Sequence, residues 1–163
     1  MKTAILVAAA CALLAGSAYA QSAATDDFVK KVAISDMFEI QSSQLALKKK
    51  PDADTKPFAQ KMVKEHKKTS SELKSLVKSG KVKAELPKAL DAEHKNKLGE
   101  MRKLSGKDFD KSYDQAQQQA HKDAVSLFEK YSQSGDNPAL KEWAQKTLPA
   151  LKEHLNMAEK LVF

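Results

Sequence analysis

The chain has a single cysteine in 163 residues, Cys11, and it lies inside the N-terminal apolar run. One thiol cannot close an intramolecular disulfide, so a fold built on disulfides is excluded. Glycine is scarce as well, at five residues, and none is grouped into the kind of loop that cradles a phosphate. There is no G-x-S-x-G, and no serine is paired with a histidine by local context, so nucleophilic catalysis has no signature. The Glu-x-x-His pairs of di-iron helical bundles are also missing. Three residues before His66 stands Val63, before His121 stands Gln118, and before His154 stands Leu151. Two bridged irons cannot be ligated and charge-balanced without those carboxylates, which argues against an oxidoreductase of that type.

The one apolar stretch of any length opens the chain. MKTAILVAAACALLAGSAYA has a lysine at position 2, a short apolar run, and the small-residue triplet Ala18-Tyr19-Ala20. That layout is a secretory signal peptide, too short for a stable membrane span. The expected organisation is therefore residues 1–20 cleaved, 21–25 a flexible polar leader, and 26–163 one domain in the periplasm or beyond. Cys11 leaves with the signal peptide in this reading. The formal net charge of +7 is spread along every predicted helix, so it reads as a solvated basic surface with attraction to acidic envelope polymers. It does not read as a nucleic-acid site.

What the chain has in abundance is helical periodicity. Phe109, Tyr113, Ala116, Ala120, Ala124, Leu127 and Tyr131 recur at steps of three and four, with Asp110, Gln117, His121 and Phe128 along the edge of the same face. The spacing predicts long helices over about 26–48, 55–79, 107–134 and 138–161. Asp54 or Thr55 is the expected cap of the second, Gly80 its stop, and Asn137-Pro138 the start of the last. Pro149 is expected to kink or break that last helix near Thr147. Residues 81–106 are too long for a hairpin, and Pro87 is expected to start a shorter crossover helix that ends at Gly106.

FVKKVAISDMFEIQSSQLAL (28–47), FAQKMVKEH (58–66), LSGKDFDKSY (104–113), AHKDAVSLFEKY (120–131) and LKEWAQKTLPALKEHL (140–155) resemble the bacterial secreted proteins of domain of unknown function 4142. The FDKSY and TLPALKEHL blocks are the most specific. The resemblance implies an all-α, ferritin-like four-helix bundle, with the short extra helix in the crossover between helices 2 and 3, and an envelope location. It brings no activity.

Each long helix carries polar residues within its apolar face. Glu39, His66, Asp110, His121 and His154 are the candidate metal ligands, with Asp36, Tyr113 and Gln117 near them. A carboxylate such as Glu39 in mid-face is costly unless paired, protonated or bound to a cation. Three imidazoles and a carboxylate would suit a single Zn, Cu or Fe ion, Zn and Cu(II) best. The simpler reading is that these groups hydrogen-bond one another in a polar layer. His94, on the crossover, reads as a half-exposed surface histidine. Tyr113, Tyr131 and Trp143 read as core aromatics with a wet polar end. The functional expectation is first a non-enzymatic envelope protein, for stress protection or interaction with a protein or polymer, with a homo-oligomer allowed. The alternative is a metal buffer or carrier.

Overall fold

The computed structural model describes residues 23–161; the predicted cleavage site, Cys11 and the first two leader residues lie outside them. Among the described residues there are five helices and no strand: α1 (Ala23–Lys49), α2 (Thr55–Lys78), α3 (Ala92–Lys103), α4 (Gly106–Ser134) and α5 (Pro138–Ala158). The helices α1 and α2 pack side by side, as do α4 and α5, and α1 against α4 and α2 against α5 complete a ring of four. The crossover helix α3 lies on α1 and α4. Among the described residues, no helix is long and apolar enough to cross a membrane.

Local chemistry explains most boundaries, and several differ from the sequence expectation. The helix α1 is already formed at Ala23, the first described residue, ahead of Asp26; Thr25 within it is buried, and its hydroxyl bonds to Tyr131 Oη (2.6 Å) and Asp136 Oδ1 (2.8 Å). The start of α2 is served by Asp52, whose Oδ1 accepts from the Asp54 and Thr55 N–H groups, while the Asp54 side chain caps nothing. Gly80 ends the same helix in a left-handed conformation (φ 74°), and the turn brings the Val82 N–H to the Leu76 carbonyl. The crossover helix starts at Ala92 under an Asp91 cap that accepts from the His94 N–H, not at Pro87. It ends at Lys103, so Gly106, at φ 53°, opens α4 and does not close α3. In α5 the Asn137 cap and Pro138 fall as expected, but the helix runs unbroken through Pro149. That residue is exposed. The carbonyl it deprives of a partner belongs to Gln145, also on the solvent side, where water substitutes for the lost bond.

The core falls into two apolar clusters. One is built on Phe38, Phe58, Met62, Leu98, Met101 and Phe109; the other on Phe28, Leu73, Phe128, Tyr131, Trp143 and Leu151. Along α2, α4 and α5, polar residues sit between the contributions to one cluster and to the other, and on α1 they flank Phe38 of the first cluster. On α1 these are Asp36 and Glu39, on α2 His66, on α4 Gln117 and His121, and on α5 His154, all buried. The fold thus carries one polar layer across its middle.

Candidate metal centre

The steps that bury each helix also deliver these side chains. His66 follows Phe58 and Met62 at intervals of four. His121 follows Tyr113 and Gln117 at the same interval. His154 follows Thr147 and Leu151 at four and three, and Asp36, Glu39 and Ser43 follow Val29 and Val32 in the same rhythm. Periodicity fixes the face, and the ring packing fixes the height: the three imidazole centroids lie 5.4–5.6 Å apart, pair by pair. One ring nitrogen of each of His66, His121 and His154 lies within 4.8 Å of the other two.

The outward nitrogens are all committed. His66 Nδ1 donates to Asp36 Oδ1 at 2.8 Å, and Asp36 is itself held by the Thr69 and Ser70 hydroxyls. His121 Nδ1 donates to the Gln117 carbonyl at 2.9 Å. His154 Nε2 donates to Glu65 Oε2 at 2.6 Å, and Glu65 is fixed in turn by Lys61 at 3.0 Å. In a neutral imidazole, an acceptor on one ring nitrogen leaves a lone pair on the other. Those other nitrogens, His66 Nε2, His121 Nε2 and His154 Nδ1, are buried with no hydrogen-bond partner, as are both oxygens of Glu39 and Gln117 Oε1. Two of the histidines thus pair with acids, as the simpler sequence reading supposes, but each ring keeps one nitrogen that no neighbour serves.

Electrostatics follow from this burial. Desolvation pushes the Glu39 carboxyl up to about 7, against the pull of His66 and the nearby Gln117 side chain, whose amide donates to Ser42 instead. Desolvation and then the neighbouring His66 hold His121 down to about 3, and burial lowers His154 despite Glu65. Burial opposes a charge on His66 too, but the Asp36 hydrogen bond and the Glu39 and Asp36 charges outweigh it and raise its pKa. At neutral pH, His121 and His154 are therefore neutral imidazoles, the form that ligates a metal.

Of the five predicted ligands, the structure brings the three histidines together and sets Glu39 beside them. Asp110 lies elsewhere. It is part-exposed, and its electrostatic neighbours are Asp52 and Asp114 near Thr55. Asp114, one residue past the Tyr113 stripe, is fully buried, and burial together with the Asp52 and Asp110 charges pushes it up to about 7. Sequence reasoning missed it, and it missed Glu65, which adjoins His66 in the chain yet serves His154 on another helix. His94 is half-buried and pairs with Asp91 at 2.8 Å.

The family model described as Domain of unknown function (DUF4142) matches residues 11–161. No curated protein and no solved structure matches the chain.

Proposed function

The chain belongs to the DUF4142 family, whose description assigns no activity, and we propose that it binds one divalent transition-metal ion through His66, His121 and His154. Two observations carry the proposal together: one ring nitrogen from each of three histidines on three different helices lies within 4.8 Å of the other two, and each of these rings has one buried nitrogen with no hydrogen-bond partner. Burying three such acceptors without a donor costs on the order of 1–3 kcal/mol each, and a cation accepts all three lone pairs at once. Asp36, Glu65 and the Gln117 carbonyl fix each ring and its tautomer, as carboxylates and carbonyls do behind metal-bound histidines. The donor set suits Zn(II) and Cu(II). Full burial suits holding an ion, so the reading is a buffer or carrier.

The ring of four long helices with a crossover between the second and third supports a ferritin-like bundle as its frame. The export reading rests on the charged start, apolar run and Ala-Tyr-Ala triplet of residues 1–20. Mass spectrometry of the envelope fraction is expected to find a chain beginning at Gln21; an intact Met1 start there sinks that reading.

Elemental analysis of the untagged protein, purified without chelator and challenged with Zn, Cu and Fe, tests the metal reading. The expected result is close to one ion per chain, lost in His66→Ala and His154→Ala. Unchanged ion affinity in both variants would falsify it.

A further inference from the structure

We infer that the ion's remaining coordination position is taken by water or a small inorganic anion that exchanges with solvent, held in place by Glu39 and Gln117. This rests on the metal reading above. Three nitrogens leave a tetrahedral ion one ligand short, and the obvious protein candidate is Glu39. Its oxygens, however, are not in the group of atoms within 4.8 Å of one another, which contains the three histidines alone.

The count of donors and acceptors decides between the two arrangements. Glu39 Oε1, Glu39 Oε2 and Gln117 Oε1 are buried with no hydrogen-bond partner; beside a cation Glu39 is ionised, one Gln117 N–H is committed to Ser42 Oγ, and the second can serve a single carboxylate oxygen. Direct ligation by Glu39 would use one carboxylate oxygen and leave Gln117 Oε1 unserved. A metal-bound water brings two acidified hydrogens, and these satisfy the carboxylate and the amide oxygen together. The layer has more acceptors than its own side chains can serve, and the imbalance matches a ligand that donates.

Access is present on one side. A cleft of about 710 Å³ between α1 and α4 is lined by Asp36 and His66 together with Val32, Ala124, Leu127 and Phe128. His66 is the one ring of the three that lines this cleft. The three histidines are each no more than 3% exposed, so a polymer or a peptide is excluded from the ion and only a water-sized or few-atom ligand reaches it.

Cobalt(II), which reports its coordination in visible absorption, is the probe ion, and azide the probe ligand. The cobalt-loaded wild-type protein is expected to change its visible spectrum saturably with azide. Glu39→Gln is expected to keep the cobalt and shift azide affinity by about tenfold, the scale of one charge-assisted hydrogen bond. A loaded spectrum that azide does not move, but that becomes responsive in Glu39→Ala, means Glu39 closes the sphere and overturns the inference. Loss of cobalt from a folded Glu39→Gln variant overturns it in the same way. If the wild type retains no metal at all, the failure is of the metal reading itself, and this inference falls with it.

Discussion

Two kinds of buried polar group lie within a few turns of each other, and they are finished differently. Tyr113 Oη meets Ser43 Oγ at 2.8 Å, and Tyr131 Oη is held between Thr25 and Asp136. In these contacts every hydroxyl has a partner, the usual state of a structural core polar group. In the histidine layer each ring is satisfied on its outer nitrogen and left with a free lone pair on its inner one. A core that needed only to be filled could have used leucine at those positions more cheaply. The contrast separates polar residues that hold the helices together from polar residues held in readiness for something else.

Removing a ligand breaks the contrast most severely. With free Zn a thousandfold above its Kd, the ion should add about 4 kcal/mol to the stability of the wild-type protein. His121→Ala should abolish that increment in thermal melts with and without metal; an increment that survives would place the ion elsewhere. Next in size is Glu39, whose effect is a matter of sign and pH. Its folded pKa of about 7 lies above the ordinary carboxyl value of 4.5, so the folded state holds a proton that the unfolded chain has lost. The metal-free protein therefore has this contribution in full below about pH 4.5 and loses it as pH rises through about 7. Glu39→Gln cannot lose it. Urea titrations should show the variant gaining on wild type between pH 5 and pH 8, by on the order of 3 kcal/mol. A constant difference across that range would mean that Glu39 is not the buried, desolvated acid described. His121 works in the opposite window: its folded value near 3 makes the metal-free protein lose stability as pH falls below about 6.5.

Asp36→Asn sharpens the comparison without removing a ligand. It disturbs the group that fixes the His66 ring, and metal affinity should fall about 10- to 100-fold by calorimetry. An unchanged affinity would show that the Asp36 bond is incidental to the site. Smallest is Tyr113→Phe, which deletes the bond to Ser43. It should cost about 1 kcal/mol in denaturant and leave metal affinity alone; a change in affinity would join the two groups of polar residues that are here held apart.

Much of this was legible before any coordinates. The inward faces of all four long helices, and the presence of Glu39 and the three histidines on them, follow from steps of three and four. What periodicity does not carry is axial height. Asp110 and His121 share a helix and the same general face, yet one belongs with Asp52 and Asp114 near Thr55 and the other in the middle layer. Glu65 was invisible for a related reason: it points away from the apolar stripe of α2, and only the neighbouring α5 turns it into the partner of His154. Boundaries failed where distant groups bear on them. Ala23–Thr25 is already helical, and Tyr131 and Asp136, more than a hundred residues on, receive Thr25. Pro149 failed to break α5 because the lost bond faces water, a fact about exposure that a proline rule does not contain.

The converging nitrogens come from two separate pairs of helices, His66 from α1·α2 and His121 and His154 from α4·α5. Neither pair alone offers three donors, so the binding pocket does not exist until the halves have docked across the crossover. On the metal reading proposed above, folding precedes high-affinity capture, and long-range closure sets the pace of loading. On the same reading, release needs the reverse, a parting of the seam between the two pairs, and the residence time of an ion would be a clock for that opening.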